Sequence, residues 1–104
     1  VVYTGGYGNG VSGVYCPPLD SVFNVWSINN NCVNPSQVTI SNNSYTLTKW
    51  LNCSNNADIN FYLTNDGGHG WPGGLPGSAN GDIPSTAINA NDLLWSFFQQ
   101  YQLP

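Results

Sequence analysis

The sequence feature that most constrains the fold is a short apolar segment that runs directly into a long glycine-rich loop. Residues Ile59 to Leu63 are mostly apolar, as in a central strand that is buried on both faces of a sheet. The loop that follows spans residues 64–85. In α/β proteins, functional sites lie in the loops at the carboxyl ends of such strands. This part of the chain therefore predicts an α/β fold with a functional loop after its central strand.

Other patterns place two more strands and one helix before this strand. Apolar residues at positions 19, 22, 23 and 26 share one helical face, and they predict a helix over residues 18–30. Pro17 and Pro18 suit its first turn, and the asparagines after it suit the left-handed turn that often closes a helix. Segments 37–40 and 45–50 predict two strands of a hairpin, so that short strands occupy residues 37–63.

The two ends of the chain differ strongly in pattern. Residues 1–17 are rich in glycine and predict a loop. A terminal helix is predicted over residues 89–101, with Asn89 or Asn91 as its cap. Its apolar stripe predicts core packing, and the stripe consists of Leu93, Leu94, Trp95, Phe97, Phe98 and Tyr101. Together the segments predict one partial domain over residues 1–104.

Charged residues are scarce, and this excludes several classes of function. The chain has one lysine, no arginine and five aspartates, for a net charge of −4. Binding nucleic acid through phosphates needs clustered basic residues, so nucleic acid is excluded as a partner. The same lack argues against docking on anionic membranes, and no apolar run reaches the length of a membrane span. A polar, uncharged surface is typical of an extracellular protein and weakens the repulsion that opposes self-association.

Three cysteines, an odd number, leave one thiol without a partner in this chain. A disulfide between Cys32 and Cys53 is favoured because the flanking segments are typical of an extracellular protein. It would close a loop of about 20 residues and stabilise the fold by about 3 kcal/mol. Cys16 would then pair with an upstream segment or a second chain. Three reduced, buried thiols are the alternative. The spacing does not suit a structural zinc site, and no metal or cofactor is predicted.

His69 is the candidate catalytic residue, because its imidazole can exchange a proton near neutral pH. A lone histidine is usually structural or simply exposed, but the setting of this one is unusual. Gly67, Gly68 and Gly70 remove side-chain bulk, so backbone and substrate can approach closely. Trp71 adds an aromatic wall and is the candidate substrate-binding residue, with plain loop packing as the alternative.

The sequence Gly-Gly-His-Gly-Trp-Pro-Gly at residues 67–73 resembles the Gly-Gly-His-x-Trp-Pro-Gly motif of the polyhydroxybutyrate depolymerase and feruloyl esterase family of α/β-hydrolases. Residues 22–32 are similar to that family's helix ending in Asn-x-Cys, and residues 46–53 to its strand leading to a second cysteine. Leu-Trp-Ser-Phe-Phe at 94–98 is similar to its last helix. The resemblance covers nearly the whole chain and implies the C-terminal portion of an α/β-hydrolase fold, incomplete as an isolated chain.

The resemblance implies a secreted serine esterase that acts on an ester substrate. In such enzymes a serine attacks the ester, a histidine transfers its proton and an aspartate orients the histidine. His69 matches the family's histidine, but the chain has no Gly-x-Ser-x-Gly elbow, and the serines at 12, 27, 78 and 85 lack that context. The acid is expected upstream of Val1. Asp66 is too close along the chain to orient the ring, and nothing singles out Asp58 or Asp82. No activity is expected from the 104 residues alone.

A noncatalytic role is the main alternative. The chain would then be a structural or binding module derived from an esterase, and its open strand edges would pair with those of other copies. Its scarce charges would permit such self-association. A small carbohydrate-binding domain that uses exposed Trp and Tyr side chains fits the helical ends of the sequence poorly.

Overall fold

The computed structural model describes residues 3–7, 13–77 and 81–102. Its elements in chain order are β1 (Gly6–Tyr7), β2 (Tyr15–Cys16), α1 (Leu19–Asn29), β3 (Gln37–Ser41), β4 (Tyr45–Trp50), a 3-10 turn (Ser54–Asn56), β5 (Ile59–Thr64) and α2 (Ala90–Phe98). The fold is mixed α/β, as predicted. Both of its small sheets are antiparallel, and the described residues form no parallel sheet. Over these same residues, no helix has the length and apolar character needed to cross a membrane.

The chain divides into two compact units. The first contains Val1–Pro35 and Trp50–Ile59, and the second contains Ser36–Lys49 and Asn60–Pro104. In the first unit, α1 begins after Pro17-Pro18 and ends within a residue of the predicted limit. The aromatic ring of Phe23 stacks on that of Trp50, with ring centroids 5.2 Å apart. This contact anchors one face of the helix within its own unit.

Asparagine closes α1, as the sequence predicts. Asn31 has a φ of 52°, and its N–H donates to the carbonyl of Ile28 at 3.0 Å. The N–H of Cys32 donates to the carbonyl of Ser27 at 2.9 Å. These two hydrogen bonds form a Schellman motif, which satisfies carbonyls that would otherwise lack partners at the helix end. The motif places Cys32 immediately after the helix.

A disulfide joins Cys32 to Cys53, the pairing that the sequence favours, and other contacts hold the same two segments together. The N–H of Ser54 donates to the carbonyl of Asn30 at 2.8 Å, and the Asn30 side chain donates to the carbonyl of Ala57 at 2.9 Å. Asp58 accepts a hydrogen bond from the N–H of Cys53 at 3.0 Å. Asp58 therefore stabilises the turn beside the disulfide.

The prediction of an unbroken loop over residues 1–17 is wrong in part. Gly6 pairs with Cys16 and Tyr7 with Tyr15 in a short antiparallel ladder, and the two tyrosine rings lie 5.5 Å apart. Two residues per strand are too few for alternation to reveal them in the sequence. Residues 1–2 and 8–12 of the predicted loop lie outside the described residues. The Cys16 thiol is half-buried and forms no disulfide within the described residues.

The second unit contains most of the three-stranded sheet, whose order is β3-β4-β5. Asn42 closes the predicted hairpin, because its side-chain oxygen accepts hydrogen bonds from the N–H groups of Ser44 and Tyr45. The prediction that Ile59 to Leu63 form a central, doubly buried strand is wrong for this chain. Among the described strands β5 pairs only with β4, and all of its residues are half-buried. β5 therefore lies at one edge of its sheet, and neither of its faces is fully covered by the described residues.

The terminal helix is present but exposed. Asn89 caps α2 by accepting a hydrogen bond from the N–H of Asp92 at 3.1 Å. The helix ends at Phe98, before the predicted limit, because the N–H groups of Gln100 and Tyr101 bond three residues back. The prediction that its apolar stripe is core is wrong: no residue of α2 is buried, and Leu94, Trp95 and Phe98 are 42%, 65% and 59% exposed. Leu93 and Phe97 are half-buried, so the described residues cover this face only in part.

We predict that replacing both Cys32 and Cys53 by serine lowers the free energy of unfolding by about 3 kcal/mol, because the bridge restricts the unfolded chain. Urea denaturation followed by circular dichroism measures this change. Cys16→Ser is the matched control and should leave the unfolding midpoint nearly unchanged, since the Cys16 thiol is not in a disulfide. Equal losses in the two variants would contradict a stabilising role for the bridge.

Candidate functional site

The loop that carries His69 is held at its start by the carboxylate of Asp66. We call residues 65–77 the His69 loop and residues 82–89 the return segment. One carboxylate oxygen of Asp66 accepts a hydrogen bond from the Ser85 hydroxyl at 2.5 Å, and the other accepts from the N–H and hydroxyl of Thr86 at 3.1 and 3.3 Å. These bonds favour the charged carboxylate, so they lower the pKa of Asp66, the Ser85 hydroxyl contributing most. Asp66 therefore ties the His69 loop to the return segment.

Ser85 is buried at the centre of this connection. Its hydroxyl donates to Asp66 and accepts from the N–H of Ala87 at 3.1 Å, so both roles of the oxygen are used within the chain. Ser27 is also engaged, because its hydroxyl donates to the carbonyl of Asn24. Ser12 and Ser78 lie outside the described residues. The geometry thus gives Ser85 a structural role.

The glycines of the motif allow the His69 loop to touch the return segment. Gly67 has a φ of 78°, and a Cβ atom there would lie 2.6 Å from the backbone nitrogen of Ser85. A Cβ atom at Gly68 would collide with the carboxylate of Asp82, and one at Gly70 would lie 2.9 Å from the Cα of Pro84. The sequence predicts close approach of backbone and substrate at these glycines. In the structure the return segment occupies that space, with Ser85 and Pro84 at Gly67 and Gly70 and the Asp82 side chain at Gly68.

The backbone of His69 is held by a hydrogen bond, whereas its imidazole ring forms none among the described residues. The N–H of His69 donates to Oδ2 of Asp82 at 2.7 Å. The imidazole is exposed, and it forms no hydrogen bond within residues 3–7, 13–77 and 81–102. Asp82 thus positions the main chain and not the ring. This role was not apparent from the sequence, because a contact across 13 residues of loop leaves no periodic signal.

Trp71 lies beside an open apolar cavity of about 380 Å³. Its indole N–H donates to the side-chain oxygen of Asn91 at 3.1 Å, which fixes the orientation of the ring. The cavity is bounded by β5, the Trp71-Pro72 corner and α2, and it is lined by Asn60, Tyr62, Trp71, Pro72, Ile88, Ala90, Leu93, Leu94, Phe97 and Phe98. Trp71 therefore lines a cavity, whereas His69 is not among the lining residues. The role of Trp71 in binding substrate stays a prediction.

The arrangement offers one exposed imidazole, at His69, and an apolar cavity that Trp71 lines. The described residues hold no group of three or more His, Cys, Asp or Glu side chains that could bind a metal ion. The Cys32–Cys53 disulfide belongs to the other unit of the chain.

No protein-family model matches the chain, and no curated protein or solved structure is significantly similar to it.

We predict that Gly67→Ala destabilises the fold by at least 1–2 kcal/mol, roughly the cost of a left-handed backbone at a residue with a Cβ atom, before the collision with Ser85 is added. Thermal or urea unfolding measures the loss. Gly77→Ala is the matched control, because a Cβ atom there meets no other atom within 4 Å. If both variants are as stable as the wild type, the close approach at Gly67 is wrong.

We predict that Asp66 makes stability depend on pH under acidic conditions. Its folded pKa lies below the ordinary value of 3.8, so its contribution is fully present above that value and is lost as the pH falls through the folded pKa. Asp66→Asn should therefore lower the melting temperature near pH 7. At low pH the difference in melting temperature between the variant and the wild type should disappear. A difference between variant and wild type that stays constant down to about pH 2 would argue against the carboxylate contacts.

Proposed function

We propose that this chain is the histidine-bearing, C-terminal region of a secreted serine carboxylic ester hydrolase, of the polyhydroxybutyrate depolymerase or feruloyl esterase type. The observation that supports the proposal best is the state of His69. Its backbone is fixed by Asp82, and its loop is held by Asp66, but its imidazole is exposed. An exposed imidazole on a fixed main chain is available to accept and donate a proton, as a general base must be.

The proposed chemistry is acyl transfer through a serine. A serine hydroxyl attacks the ester carbonyl while the His69 imidazole accepts its proton. The same proton then passes from the imidazolium to the leaving alcohol, and water completes the cycle by releasing the acid from the acyl-serine. These steps need no metal and no redox cofactor.

The nucleophile and the orienting acid come from outside these 104 residues in this proposal. The Asp66 carboxylate is occupied by Ser85 and Thr86, and Asp82 accepts from the His69 backbone. Ser85 is buried and bonded, and the sequence contains no Gly-x-Ser-x-Gly elbow. An imidazole without a nucleophile, an orienting acid or an oxyanion hole is a poor catalyst. The isolated chain is therefore proposed to be inactive.

Trp71 is proposed to contact the apolar part of the ester. The cavity beside it has about 380 Å³ of space, which is within the range of small-molecule sites. Its lining is almost entirely apolar, with Asn60 and Tyr62 as the polar contributors. Such a surface suits an alkyl or aryl group better than a charged one. The Cys32–Cys53 disulfide is consistent with the proposed secretion, because disulfides persist in oxidising compartments.

A noncatalytic, self-associating module is the second candidate, and one observation favours it. The described residues leave an apolar face open on α2, where Leu94 and Phe98 are exposed, and β5 has one strand neighbour. Exposed apolar patches of this kind mark interaction surfaces in soluble proteins. This candidate requires no proton transfer by His69.

We predict that, in the natural gene product that contains this chain, His69→Ala lowers kcat/KM for a short-chain p-nitrophenyl ester by about 1000-fold or more. The isolated chain should hydrolyse the ester at the spontaneous rate. Leu75→Ala is the control from the same loop, since Leu75 is exposed, and its activity should match the wild type. Wild-type rates in His69→Ala would eliminate the proposed role, and His69-dependent hydrolysis by the isolated chain would show that no outside serine is needed.

A further inference from the structure

The turn between β3 and β4 contains a sequence motif that hydrolysis at His69 does not use. Residues Asn42-Asn43-Ser44 follow the pattern of asparagine, any residue except proline, and serine. In secreted proteins this pattern is the acceptor motif for N-linked glycosylation. A second acceptor motif, Asn52-Cys53-Ser54, lies in the other unit of the chain. The sequence alone treats the two motifs alike, whereas the structure distinguishes them.

The side-chain nitrogen of Asn42, Nδ2, is the atom that an N-linked sugar would occupy. The side-chain oxygen of Asn42 accepts hydrogen bonds from the N–H groups of Ser44 and Tyr45, at 2.8 and 2.9 Å. Both partners are donors, so the oxygen must face them and Nδ2 lies on the other side of the amide group. Nδ2 forms no hydrogen bond among the described residues. A sugar on Nδ2 leaves the oxygen in place, so the hydrogen bonds of the turn are kept.

The turn around Asn42 is exposed, and its backbone is held in place. All residues from Ser41 to Ser44 are exposed. The side chain of Asn65 donates to the carbonyl of Asn43 at 2.7 Å, and the N–H of Asn65 donates to the carbonyl of Ser44 at 2.9 Å. A glycan is bulky and requires a surface position. The folded chain can therefore carry a glycan at Asn42 without breaking any of these contacts.

The second motif is bound to another segment of the chain through its middle residue. Cys53 forms the disulfide with Cys32, and its N–H donates to Asp58 at 3.0 Å. The carbonyl of Asn52 accepts a hydrogen bond from the N–H of Val33 at 3.3 Å. The transferase that attaches the sugar has to enclose the acceptor segment. A segment that is joined to a second one by a disulfide is obstructed, so Asn52 is a poor acceptor once the disulfide has formed.

We propose that Asn42, and not Asn52, is the N-glycosylation site of this chain in a secretory pathway that supplies a lipid-linked oligosaccharide diphosphate. Nδ2 of Asn42 forms a bond to the first sugar carbon, while the bond from that carbon to the diphosphate breaks. The nitrogen gives up one proton, and the lipid diphosphate is the leaving group. The chain has one lysine and five aspartates, so the glycan supplies polar surface that charged side chains do not. This modification does not depend on hydrolysis at His69.

The test expresses the natural gene product that contains this chain in a eukaryotic host that secretes it, and mass spectrometry reads each motif separately. Trypsin cuts after Lys49, which lies between the two motifs, so they fall on different peptides once the disulfide is reduced. Peptide N-glycosidase removes the sugar and converts the asparagine that carried it to aspartate, which marks the site. We expect a glycan on Asn42 in the wild type and its complete loss in Ser44→Ala. Ser44→Thr is the matched control, because it keeps the motif and should keep the glycan.

Cys32→Ser tests the difference between the two motifs, because it removes the disulfide and leaves Asn52-Cys53-Ser54 unchanged. We expect a glycan to appear on Asn52 in this variant, while Asn42 stays modified. Molecules retained in the cell are mapped beside the secreted ones, so a variant that fails to fold still reports on its motifs. An unmodified Asn42 in the wild type, or a glycan on Asn42 in Ser44→Ala, would overturn the proposal. Equal modification of Asn42 and Asn52 in the wild type would overturn the selectivity, and an unmodified Asn52 in Cys32→Ser would overturn its assignment to the disulfide.

Discussion

The geometry around His69 depends on the carboxylate of Asp66. Three donors from Ser85 and Thr86 converge on it, and they bring the return segment against the start of the His69 loop. Once the two segments are in contact, backbone hydrogen bonds extend the connection: the N–H of Gly73 donates to the carbonyl of Ser85, and that of Ala90 donates to the carbonyl of Pro72. The second bond reaches the first residue of α2. Through these contacts the Asp66 carboxylate links the end of β5, the His69 loop and α2. Trp71 lies in this loop, between β5 and α2 along the chain.

A shortage of cations explains how the aspartates are used. With one lysine in the whole chain, carboxylates cannot generally be stabilised by ion pairs, so they accept hydrogen bonds from N–H and O–H groups instead. Asp58 accepts from the Cys53 backbone, Asp66 from the return segment and Asp82 from the His69 backbone. Each of these bonds organises a loop. Because these three carboxylates accept hydrogen bonds elsewhere, none of them orients the His69 imidazole. The proposed esterase therefore needs an acid from outside these residues.

Features encoded by neighbouring residues were predictable, and those that depend on distant neighbours were not. Proline before α1 and asparagine after it act locally, so both ends of that helix were predicted closely. The cap at Asn89 is equally local. The position of β5 in its sheet is different, because an apolar strand has the same pattern whether it has one neighbour or two. The contact between Asp82 and His69 joins two irregular segments, so no spacing rule applied to it.

The apolar face of α2, which the sequence predicts to be core, is exposed, and this has a consequence for the stability of the fold. The sequence has the apolar pattern of a helix that is covered, yet no residue of α2 is buried, and among the described residues Leu47, at 3% exposure, forms the buried apolar core. Full burial of one large apolar side chain stabilises by about 1.5–3 kcal/mol, whereas a whole domain is stable by about 5–15 kcal/mol. Covering a few side chains such as Leu94 and Phe98 therefore contributes energy comparable with the stability of the fold itself. Folding of this chain is therefore expected to be coupled to covering of the exposed apolar side chains of α2.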